Sequence, residues 1–79
     1  MNKIISLDKL NVNKSAIVTN INPKSHLKRR FEDLGIVKGS IIKCEFTSMF
    51  NDPKAYLIKG STIAIRNDDA KYIKVIVDD

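Results

Sequence analysis

Hydrophobic positions fall into short runs of strand spacing, interrupted once by a helical stretch. Residues 15–21, SAIVTNI, are rich in β-branched side chains and bounded by polar residues, which predicts a strand. Asn22-Pro23 then marks a turn or a helix start, because proline is tolerated at the first helical position. Over residues 24–34, KSHLKRRFEDL, Leu27, Phe31 and Leu34 recur at i, i+4 and i+7, the apolar stripe of a helix. Gly35 is placed to close that helix in a left-handed conformation, with Ile36 positioned to touch Phe31.

After Gly39 the spacing changes to that of strands. Ile42, Cys44 and Phe46 are predicted to point inward, and Lys43, Glu45 and Thr47 outward. Residues 48–53, SMFNDP, read as a loop, 54–59 as a strand and Gly60-Ser61 as a tight reversal. Residues 62–66 give a further strand with Ile63 and Ile65 on one face. A single helical turn capped by Asn67 covers 67–70, and 71–77 form the last strand. The outline is mainly β, with one short α-helix and about five strands. A set this small covers its edges by curling into a small β-barrel.

Seventy-nine residues fit one domain, 1–79, with a small core. Cys44 is the only cysteine, so no disulfide forms within the chain, which fits a reducing compartment. The longest apolar run, residues 55–58, is far below the ~20 residues of a spanning helix. Lys3 before Ile4-Ile5 begins like a signal peptide, but Asp8 and Lys9 interrupt it and no small-residue cleavage site follows. These features predict a cytoplasmic protein.

The net charge of +5 invites a nucleic-acid reading. Its distribution is uneven: residues 1–43 hold nine Lys/Arg against three acids, and 44–79 hold five against six. A charged partner is therefore expected at the basic half.

The chemistry-bearing residues are sparse. His26 and Cys44 are single, and Cys44 sits on the predicted inward face, where a thiol acts as a small hydrophobe. Gly35, Gly39 and Gly60 fit no phosphate-binding loop. An Fe(II) site wants several His and carboxylate ligands, whereas His26 stands among Lys24, Lys28, Arg29 and Arg30. Asp68-Asp69 and Asp78-Asp79 read as solvated pairs. No catalytic, cofactor-binding or metal-ligating residue is predicted, and no enzymatic activity.

Partner binding leaves two candidate surfaces. On the basic helix, Lys28 and Arg29 face outward, and Arg30 can pack its stem while its head reaches water. That face is either simply solvated, or docks on an acidic protein, or meets nucleic acid. Nucleic-acid barrels present stacking aromatics among basic residues. Here Phe31, Phe46 and Tyr56 are placed inward, leaving Phe50 and Tyr72 far from the basic helix, so no nucleic acid is expected. A small basic RNA-binding β-barrel stands as the alternative. The second surface is the 48–53 loop, where Met49 and Phe50 either contact a protein partner or tuck back over the barrel end.

Leu27, Arg30, Phe31, Leu34-Gly35-Ile36, Gly39, Asp52-Pro53, Gly60, Ile63-Ala64-Ile65-Arg66 and Ala70 together resemble the FeoA domain in order and spacing. The likeness runs from about Leu7 to Val77. Val12-Asn13 stands where the family often has Pro-Gly, and Phe31 where leucine is usual; asparagine tolerates the left-handed conformation that such a turn needs. The resemblance implies an SH3-like barrel and a cytosolic accessory protein of bacterial ferrous-iron uptake. It implies a FeoB-like membrane transporter with a cytosolic GTPase domain as partner. It also implies an association with a transition metal, iron.

Overall fold

The computed structural model describes residues 2–78. Six antiparallel strands form one sheet: β1 (Asn2–Ser6), β2 (Ser15–Ile21), β3 (Ile41–Thr47), β4 (Lys54–Ile58), β5 (Ser61–Ile65) and β6 (Ile73–Asp78). Their spatial order is β1-β6-β2-β3-β4-β5, which leaves β1 and β5 as the edges. A 3-10 turn, Leu7–Lys9, follows β1. Helix α1 (Lys28–Asp33) lies between β2 and β3, and α2 (Asn67–Ala70) between β5 and β6.

Alternation builds the core. Ala16 and Val18, Ile42 and Cys44, Tyr56 and Ile58, and Ile73 and Val75 are all buried on one face. Phe31 and Ile36 join them from the end of α1, and Leu7 and Leu10 from the 3-10 turn. The sheet is not closed into a barrel by strand pairing, because β1 and β5 do not pair; side chains of β4 instead reach the segment that follows β1. The buried Tyr56 hydroxyl donates to the Leu7 carbonyl at 3.3 Å. Lys54 Nζ donates to the carbonyls of Asp8 and Leu10, at 2.6 and 3.2 Å. The segment leaving edge strand β1 is thus tied to β4, one strand from the opposite edge.

The sixth strand, β1, was not predicted. Ile4 and Ile5 are adjacent and both apolar, so the segment shows no period of two. Ile4, Ile76, Ile17 and Ile41 lie opposite one another across β1, β6, β2 and β3. They form a row on the outer face of the sheet, with Ile4, Ile17 and Ile41 exposed.

Helix α1 is shorter than the predicted 24–34. Asn22 Oδ1 accepts the Lys24 N–H at 2.9 Å, and Ser25 Oγ accepts the Leu27 N–H at 3.2 Å. Short polar side chains compete for backbone N–H groups in this way and hold residues 24–27 in turns. The stop is as predicted. Gly35 takes φ 97°, the Ile36 N–H donates to Phe31 C=O at 2.9 Å, and the Gly35 N–H to Glu32 C=O at 3.0 Å. That pair of bonds is the Schellman arrangement, and Phe31 and Ile36 are both buried beside it.

Phe46 corrects the predicted inward set. Cys44 lies opposite Tyr56 but Phe46 lies opposite Ala55, so Glu45 is an extra residue in β3. Past this bulge the alternation is shifted, and Phe46 is 60% exposed. The tight reversal also moves by one residue. Ile58 pairs with Ser61, and Lys59 and Gly60 take φ 51° and 80° between them. Two positive φ values in a two-residue hairpin match the twist of the flanking strands. The Val12-Asn13 turn forms with Asn13 at φ 71°, in the left-handed region.

Candidate interaction surface

The 48–53 loop is held by its own polar groups. Ser48 Oγ donates to the Asp52 carbonyl at 2.7 Å and accepts the Asp52 N–H at 3.0 Å. The Asn51 N–H donates to Ser48 C=O at 3.0 Å, with Asn51 itself left-handed at φ 64°. The loop is also fixed to α2. Asp52 Oδ1 accepts the Asn67 N–H, and Asn67 Nδ2 donates to the Asn51 carbonyl, each at 2.9 Å.

Asn67 therefore does not cap α2, as its sequence position had predicted. It is the first helical residue. The cap position is the extended Arg66, which makes no side-chain cap bond, and the carboxylate arrives from Asp52 instead. No local sequence signal marks a cap that comes from fifteen positions away.

On this braced loop Met49 is 89% exposed and Phe50 83% exposed. Neither folds back over the core. Phe46, two residues before Ser48, adds a third large apolar side chain at the same end of the β3–β4 hairpin. Large apolar groups on a pinned backbone lose little conformational freedom on contact, which suits them as anchors.

The basic helix is divided by the fold. Lys28 is half-buried and pairs with Glu32 at 2.9 Å, so its charge is largely matched locally. Arg29 is exposed on the outer side. Arg30 is exposed too, but lines a groove between α1 and β5 together with Leu27, Phe31 and Leu34. The opposite wall is Ile63, Ala64 and Ile65, and Arg66 and Asp69 complete the lining. The fold thus brings Arg30 and Arg66 into one groove from distant parts of the sequence. Arg66 belongs to the motif that carries the family likeness, yet only the fold shows that it shares a site with Arg30. The groove and the loop adjoin, because Asn67, bonded to the loop, directly follows Arg66.

Cys44 is fully buried. Burial pushes its thiol pKa up, and the nearby Lys54 charge offsets this only in part. A protonated thiol is a poor nucleophile. His26 is exposed, on the segment before α1. Among the described residues no three His, Cys, Asp or Glu side chains converge, and no helix is long and apolar enough to cross a membrane.

Comparison with known proteins agrees with this architecture. The model of the FeoA domain matches residues 5–77. A protein of Campylobacter jejuni provisionally named Fe(2+) transport protein A is 30% identical over 71 residues, covering 90% of this chain and 96% of that protein. The solution structure of a FeoA-like protein from Clostridium acetobutylicum superposes with a TM-score of 0.88 at 34% identity, over 98% of this chain and 90% of the other. The crystal structure of Stenotrophomonas maltophilia FeoA with zinc, described as a prokaryotic SH3-domain protein, superposes with a TM-score of 0.80. It is 24% identical, and the match covers 90% of this chain and 88% of that one.

Proposed function

Because this chain belongs to the FeoA domain family of ferrous-iron transport accessory proteins, we propose that it works in the cytoplasm as an SH3-like interaction module on a FeoB-type membrane transporter. The contact is made to the transporter's cytosolic part, which includes its GTPase domain. The observation that carries this reading is the group Phe46, Met49 and Phe50, exposed on a hairpin end that is pinned by Ser48, Asp52 and Asn67. An exposed apolar group on a rigid support is a docking feature, because it gains by burial and costs little to order.

The exposed Phe46 and Phe50 also meet one requirement of an RNA-stacking platform. The charges around them do not meet the other. Glu45 and Asp52 flank the pair in sequence, and the Lys54 ammonium is engaged with the Asp8 and Leu10 carbonyls. A protein partner therefore fits this surface better than RNA.

The test is a titration of isotope-labelled protein with the soluble GTPase domain of its own organism's FeoB. Amide shifts concentrated on residues 46–53 support the reading. An absence of binding both to that domain and to the intact transporter would overturn it.

A further inference from the structure

The groove between α1 and β5 has three features that point to one kind of ligand. The first is backbone. β5 is an edge strand, paired only with β4. In a two-residue hairpin the closing pair, here Ile58 and Ser61, exchanges both hydrogen bonds, and bonded pairs then alternate along the strands. Ser61, Ile63 and Ile65 therefore bond to β4, while Thr62 and Ala64 turn their N–H and C=O groups to the open edge. Among the described residues no other backbone group bonds them. The second is apolar surface, since Leu27, Leu34 and Ile63 line the groove and none of them is fully buried. The third is charge. Arg30 and Arg66 line the groove against one acid, Asp69, and neither guanidinium group has a hydrogen bond or ion pair among the described residues.

We propose that this groove binds an extended acidic polypeptide segment, which adds to β5 as a further strand and sets its carboxylates against Arg30 and Arg66. An added strand satisfies Thr62 and Ala64 through its main chain. Its side chains point alternately to the two faces, so apolar residues can meet the groove while their neighbours carry charge. The guanidinium fork matches a carboxylate in two parallel hydrogen bonds.

Two other occupants fit less well. A second copy pairing edge to edge would bring the arginines of two chains together, each chain carrying +5. Nucleic acid would want an aromatic face for stacking, and Phe31, the one aromatic of the groove, is buried. The proposal does not depend on which protein supplies the segment, so it stands or falls apart from the transporter reading.

The probe is a capped hexapeptide of alternating glutamate and leucine, titrated into isotope-labelled protein. The expected result is amide shifts centred on Thr62 and Ala64, slowed hydrogen exchange at both, and shifts of the Arg30 and Arg66 Nε signals. Arg30→Gln and Arg66→Gln should each weaken binding about fivefold, the upper range for an exposed charge pair. A hexapeptide of alternating lysine and leucine should not bind. Methylating alternate backbone nitrogens of the acidic peptide should abolish binding while leaving its charge intact. The proposal is overturned if millimolar acidic peptide gives no shifts, if the lysine peptide binds equally well, or if N-methylation has no effect. Shifts of Thr62 and Ala64 with protein concentration alone would also overturn it, in favour of self-pairing.

Discussion

Replacing Asp52 with alanine separates the brace from the groups it presents. The carboxylate accepts the Asn67 N–H at 2.9 Å and so caps α2 from the distant loop. Asp52 is exposed and fills no part of the core, so the loss is that of a cap: about 1 kcal/mol. Unfolding entropy near 2.1 cal/mol/K per residue gives roughly 0.17 kcal/mol/K for 79 residues, so 1 kcal/mol corresponds to a fall in Tm of about 6 °C. Thermal unfolding followed by circular dichroism reads this directly, and hydrogen exchange at the Asn67 amide should speed up. Asp33→Ala is the control. Asp33 is exposed at the C-terminal end of α1, the unfavourable end of the helix dipole for an acid, so its removal should leave Tm unchanged or raise it slightly. Asp52→Ala should also weaken partner binding, although Met49 and Phe50 are untouched, because the loop must then be ordered on contact. A Tm within about 1 °C of the natural protein, with unchanged exchange at Asn67, would refute the brace.

Three further outcomes follow from the same structure. Gly35→Ala should cost about 1–2 kcal/mol for the left-handed backbone at φ 97°, and more because the new Cβ would lie 2.7 Å from Lys59 Cγ; denaturant titration measures this. Stability should fall as pH rises past about 9 and again past about 10. Burial raises the Cys44 thiol above its ordinary 9.0 and the Tyr56 hydroxyl above its ordinary 10.0, so in that window the unfolded chain has released protons that the folded chain still holds. Tyr56→Phe should remove the upper part of that alkaline loss. At neutral pH it should cost only about 1 kcal/mol, since the Leu7 carbonyl that it frees still accepts the Leu10 N–H at 3.0 Å.

The sequence was most legible where one local pattern decided the structure. β2 is a run of β-branched residues bounded by polar ones, and Gly35-Ile36 after an i, i+4, i+7 stripe leaves one way to end a helix. It was least legible where both faces of a strand are apolar. Ile4-Ile5, Ile41-Ile42 and Val75-Ile76-Val77 carry no period-two contrast, which hid β1 and the outer isoleucine row. The Glu45 bulge is a property of the pairing with β4 and reversed the side on which Phe46 lies. Met49 and Phe50 were visible as large apolar residues in a polar loop, but their bracing by Asp52 and Asn67 spans two elements. The same holds for Arg30 and Arg66, which no spacing rule would join.

The most direct test of the docking role is the affinity of the intact protein for its own organism's full-length FeoB-type transporter in lipid nanodiscs. It is compared with that of the triple variant Phe46→Ser, Met49→Ser, Phe50→Ser. All three side chains are exposed, so the variant should keep its fold and near-natural Tm, which circular dichroism verifies. The expected result is binding by the natural chain and at least about tenfold weaker binding by the variant, a difference of about 1.4 kcal/mol. No binding by the natural chain, or equal binding by a folded variant, would contradict the assignment of this surface.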